Sequence, residues 1–201
     1  MNALLLKDLF LMRKRSGIML LAIAIFAFLA GVQGGLVNTI MATMMPLMLS
    51  FTTLAYDQSD GWEAFAAALP FSRKHIIQSK YFLALLLIGL SIVVIFAIGM
   101  IARALPMHEL IGSAITQFTF GAFFVAINYP LILKFGFEKS RLYYILVMVV
   151  LMSFGAALSP LQGNNSIPSL AFVLPSIAVV CLIISYTLSV SIMKNKEFSG
   201  S

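Results

Sequence analysis

Long apolar stretches alternate along the chain with short polar or charged ones. From Ser16 to Tyr56 no Lys, Arg, Asp or Glu occurs across 41 residues. As one helix this run would reach about 60 Å, twice the roughly 30 Å hydrocarbon core of a bilayer. It is therefore read as two spans, at 17–33 and 36–56, with Gly34–Gly35 as the turn between them. Four further stretches fall at 81–102, 110–133, 142–158 and 170–193. The fifth is short for a bilayer, and Pro175 is expected to kink the sixth. The pattern predicts an all-α membrane protein with six transmembrane helices, because only helices and closed barrels satisfy their backbone in lipid. No internal repeat or low-complexity linker divides residues 1–201, which read as one transmembrane domain.

Composition sharpens this picture. Hydrophobic residues make up 61% of the 201 residues and charged ones 10%, against roughly 45–50% and about 25% in soluble domains. A core of this size cannot hide so much apolar surface, so the excess faces lipid. A soluble enzyme, a disordered tail and a secreted disulfide scaffold are excluded. The single cysteine, Cys181, rules out an intrachain disulfide, and its apolar neighbours Val180, Leu182 and Ile183 mark it as inert.

The net charge of +6 then becomes a statement about sidedness. With both termini in the cytoplasm, 12 of the 13 basic residues fall on that side and only Arg103 falls outside. The cytoplasmic set includes Arg73, Lys74 and Lys80, and nucleic acid need not be invoked. The first span is read as retained, not cleaved as a signal peptide, because a second span follows at once. Residues 159–169 form a polar outer loop, and its Asn164-Asn165-Ser166 is read as loop chemistry, not a glycosylation site.

Several chemistries are absent. There is no phosphate-binding G-x-x-x-x-G-K-[ST] run and no H-E-x-x-H. His75 and His108 lie on opposite sides of the predicted membrane, and no carboxylate is placed well inside a span. Ion-coupled carriers use ionisable groups at membrane depth, so none of that chemistry is expected here. No catalytic residue, metal or cofactor is assigned to this chain.

The segment 57–80 is the most patterned stretch outside the spans. Asp60 can cap a short helix over 61–69 with Glu63 three residues on, and Pro70 ends it. Trp62, Phe65 and Leu69 share one face of that helix. Ser72 can cap a second helix that starts at Arg73 and runs into the third span. The aromatic face suits either the bilayer surface or a groove on a cytosolic partner. Residues 1–16 are also amphipathic, with Leu5, Leu9 and Met12 together and Arg13-Lys14-Arg15 behind them. They are read as an interfacial helix on anionic lipid, although flanking positive charge alone also explains the basic cluster.

The run Leu69-Pro70-Phe71-Ser72-Arg73-Lys74-His75-Ile76-Ile77-Gln78-Ser79-Lys80-Tyr81 resembles the LP-x-S-R-x-x-I-x-x-S-K-Y run of bacterial ABC exporter permeases of the type-2 class. Asp57 to Glu63 resembles the acidic lead-in of those proteins, and the six-span layout agrees. The resemblance implies a half-transporter permease in the bacterial cytoplasmic membrane. It would pair with a second permease subunit, as a homo- or heterodimer, and with separate cytosolic P-loop ATPases that bind the ATP and Mg. It implies that 57–80 carries the helix coupling the permease to the ATPase, with Trp62, Glu63, Phe65, Leu69 and Arg73 as its contact residues.

Met41, Met44, Met45 and Met48 form a stripe on the second span, and Met148 and Met152 share a face of the fifth. The resemblance would place these spans beside a central path for an amphipathic or hydrophobic substrate such as a peptide, drug or lipid-like molecule. Ordinary helix packing also accounts for such stripes. Gly31 and Gly35 form a G-x-x-x-G that serves either close helix approach or, as the turn glycines favour, the loop. Thr116, Gln117, Thr119 and Asn128 are expected to bond other helices or the backbone. An uncoupled channel or facilitator, and a scaffold or sensor subunit, are the alternative functions.

Overall fold

The computed structural model describes residues 17–59, 73–103, 105–162 and 168–195. They form six α-helices and, among the described residues, no strand: α1 Gly17–Gln33, α2 Leu36–Ser59, α3 Arg73–Ala102, α4 Met107–Phe135, α5 Phe137–Gln162 and α6 Pro168–Asn195. The number of helices agrees with the apolar pattern. By length and composition α2, α3, α4 and α6 can each cross a membrane, whereas Leu21–Gln33 and Leu142–Phe154 are shorter apolar stretches. The expected interfacial helix at 1–16 and the helix at 61–69 lie outside the described residues.

The connections follow from local chemistry. Gly34 and Gly35 take φ values of +64° and +83°, a region that only glycine enters without strain. Asn38 donates its side-chain amide to the Gly34 carbonyl and Thr39 its hydroxyl to that of Gly35, which ties the turn to the start of α2. One residue, Gly136, joins α4 to α5, and the Ser140 hydroxyl donates back to the Leu131 carbonyl at 3.0 Å.

Helix α4 is the hub and packs against α2, α3, α5 and α6, while α1 rests on α2 and α3. The core is built from Ile40, Leu47, Phe51, Leu83, Ile88 and Phe124, all almost fully buried. Large apolar side chains on the outer faces, such as Val93, Leu142, Val149 and Ile183, remain more than half exposed, as lipid contact requires. Glycine also sets the helix spacing. A Cβ on Gly31 would lie 2.5 Å from Ile98 Cγ2, and one on Gly99 would strike Leu110 and come within 3.4 Å of the Gly31 carbonyl. The expected division of labour is thus corrected: Gly35 makes the turn, but Gly31 lets α1 approach α3.

Polar residues inside the spans mostly return to their own backbone. Thr116, Thr119 and Asn128 each donate to the carbonyl four residues earlier. Gln117 instead accepts from Ser91 of α3 at 3.4 Å, and its Nε2 is buried without a partner.

Candidate functional site

Alternating helix directions bring the C-terminal end of α2, the N-terminal part of α3, and the C-terminal ends of α4 and α6 to one end of the bundle. Here one sequence expectation is corrected and another holds. Asp57, expected just beyond the second span, is part of α2, and Lys80 lies two turns inside α3, on the helix expected to start at Arg73. Their side chains are 6% and 3% exposed, and Lys80 Nζ sits 2.6 Å from Asp57 Oδ2. In this apolar setting each side chain supplies the other's counter-charge, which a count of basic residues along the sequence cannot register. The carboxylate lies at the very end of the apolar span Leu36–Asp57, not well inside it.

Hydroxyl groups extend the pair. The Thr53 hydroxyl donates to the Ser50 carbonyl at 2.8 Å and accepts from Lys80 Nζ at 3.4 Å. Tyr129 of α4 donates its one proton to the Lys80 backbone carbonyl at 3.1 Å. A carbonyl only accepts, so the 2.7 Å contact between Tyr129 and Ser50 must have Ser50 as donor. Tyr81 lies 2.6 Å from the Ser185 hydroxyl and 2.8 Å from that of Ser189, both on α6. Its ring stacks on Tyr129 with centroids 4.8 Å apart and meets Tyr186 edge-on at 5.6 Å. Phe51, Phe124 and Tyr144 continue the aromatic cluster toward α5. Four helices are therefore joined by directional contacts in one buried layer.

Of the expected coupling residues, Trp62, Glu63, Phe65 and Leu69 lie outside the described residues, and Arg73 is the first residue of α3. The Asp57–Lys80 pair closes the base of the segment that would carry them. The methionine stripe divides: Met44 is wholly buried in the core, and Met41, Met45 and Met48 are half-buried. Met148 and Met152 are half-buried and pack on the same core. A separate apolar cleft of about 150 Å³ lies between α4, α5 and α6, lined by residues including Phe120, Phe123, Leu151 and Leu174. Among the described residues no cluster of three His, Cys, Asp or Glu side chains could hold a metal ion.

Sequence reasoning did not single out Ser50, Thr53, Tyr81, Tyr129, Ser185 or Ser189 as a group. Two signals were available. Ser185 and Ser189 are spaced i, i+4 on a largely apolar helix, and Lys80-Tyr81 ends the most patterned run of the chain.

A family model described as an ABC-2 family transporter protein matches residues 3–194. No curated protein and no solved structure matches the chain.

Proposed function

The chain belongs to the ABC-2 family of transporter proteins and is a multi-pass membrane permease; we propose that it is the permease half of an ATP-driven exporter, working as a dimer with a separate P-loop ATPase. The observation that carries the reading is the buried Asp57–Lys80 pair at the base of 58–79. It fixes the two ends of an aromatic-bearing segment to the bundle core, which a freely moving surface loop would not need. Trp62, Phe65 and Leu69 dock the ATPase, with Glu63 and Arg73 at the rim. Closure of the ATPase pair moves this segment, and the two permease bundles alternate around a central path.

The basic end of the bundle faces the cytoplasm, since Lys74, Lys134 and Lys139 are exposed there with the buried pair. Met41, Met45 and Met48, with Met148 and Met152, line the path and accept a hydrophobic or amphipathic substrate, while Met44 packs. On this reading the substrate is exported across the bacterial cytoplasmic membrane.

Two measurements test this. Affinity purification of the full-length chain should bring down a P-loop ATPase, and Trp62→Ala or Phe65→Ala should weaken that association by about tenfold or more without loss of membrane insertion. A permease that purifies alone under conditions preserving membrane complexes would favour a channel or scaffold. Cysteines at Ser72 and Lys139 should react only from the cytoplasm and one at Ser166 only from outside. Ser140 is unsuitable for that purpose because it is buried.

A further inference from the structure

The buried polar contacts converge on two consecutive residues of α3. Lys80 extends its ammonium to α2, where Asp57 Oδ2 is 2.6 Å and Thr53 Oγ1 3.4 Å away. Its backbone carbonyl receives the Tyr129 hydroxyl of α4. Tyr81 reaches Ser185 and Ser189 of α6 and stacks on Tyr129. One peptide step of α3 therefore holds α2, α4 and α6 together. We infer that the Lys80–Tyr81 step is the junction through which a displacement of segment 58–79 is passed to α6. This rests on the reading that 58–79 docks a partner.

Three features support it. Segment 58–79 returns to the bundle through the N-terminus of α3, about two helical turns ahead of Lys80, so a pull on it is delivered along a continuous hydrogen-bonded helix. The contacts at the junction are directional and buried, so a shift of an ångström or so breaks them unless their partners move as well. Tyr81 also has two hydroxyls to choose from, one turn apart on the same face of α6. When α6 slides in either direction one of the two is lost and the other kept, which allows a stepwise shift without leaving the phenol unpaired. Lys80 and Tyr81 are thus positioning residues that act through α6.

The test uses the full-length chain in lipid nanodiscs and reads amide hydrogen exchange helix by helix. Asp57→Asn should accelerate exchange over 185–193 of α6 by about tenfold, although Asp57 is on α2, and leave 30–33 of α1 unchanged. In a Tyr81→Phe background, which keeps the ring and removes the hydroxyl, Asp57→Asn should change α6 exchange by less than about twofold. If Asp57→Asn does not fold, the neutral pair Asp57→Asn with Lys80→Gln is compared in the same two backgrounds. Acceleration confined to α2 and α3, or an effect on α6 that is equal with and without the Tyr81 hydroxyl, overturns the junction. ATPase co-purification, measured on the same preparations, separates the two claims. Coupled exchange without ATPase binding would sink the docking reading alone, and ATPase binding with uncoupled exchange would sink the junction alone.

Discussion

The two ends of the bundle are held by different physics. At one end α2, α3, α4 and α6 are tied by an ion pair, six hydroxyl groups and a tyrosine stack, all from side chains. At the other, α1, α3 and α4 meet through Gly31, Gly34, Gly99, Ile98, Leu105 and Leu110, with backbone brought close by missing side chains. Small-residue packing has a single best geometry and resists change in every direction. Directional polar contacts can exchange partners and give a second arrangement of similar energy. On the proposed transport cycle the polar end would be the part that moves, and the glycine end the pivot.

Mutations that strike the two ends unequally will test the contrast. The largest effect is expected at the ion pair. Lys80→Met leaves a buried carboxylate behind and should destabilise the protein by about 3–5 kcal/mol, while Asp57→Leu with Lys80→Met together should restore most of that. Thermal unfolding in detergent reads both. If the single variant is harmless, the pair is not buried in the working protein.

The middle of the bundle comes next. Met44 is in the fully buried core between the two ends, so Met44→Lys should reduce folded protein in the membrane, at a cost of roughly 2.5–3.5 kcal/mol. The same change at half-buried Met45 should be better tolerated. Equal losses at the two positions would remove Met45 from the proposed path.

At the glycine end the effect is smaller. Gly31→Ala forces a methyl against Ile98 Cγ2 and Cβ, atoms of a branched side chain with little freedom. Overpacking of about 1–3 kcal/mol, partly offset by up to about 1 kcal/mol of helix propensity, leaves a net loss of about 1–2 kcal/mol. Gly89→Ala meets no atom within 4 Å and provides the control with no loss. If Gly31→Ala is as neutral as Gly89→Ala, the close approach of α1 to α3 is not what fixes that end. The smallest change is Tyr129→Phe, which keeps the stack on Tyr81 and removes bonds to Ser50 and the Lys80 carbonyl. It should cost about 1 kcal/mol and, unlike Gly31→Ala, loosen α2 and α4 at the polar end alone in hydrogen exchange.

The sequence alone determined the six apolar helices found among the described residues, the Gly34–Gly35 turn and the start of a helix at Arg73. Each depends on neighbours in the chain: an apolar run matched to bilayer thickness, glycines that accept positive φ, and the residue types that open or end helices. It also carried the family resemblance, through the run from Leu69 to Tyr81. Only the tertiary structure decided that Asp57 and Lys80 meet, that Gly31 lets α1 approach α3, and that Met44 packs while its stripe-mates stay half-buried. Those facts depend on residues 23 to 79 or more positions apart, such as Asp57 with Lys80 and Ser50 with Tyr129. Periodicity shows which residues share a face of one helix, but the partner of that face is set by how six helices pack. A lysine beside a span looks the same in sequence whether it ends in water or against a buried aspartate.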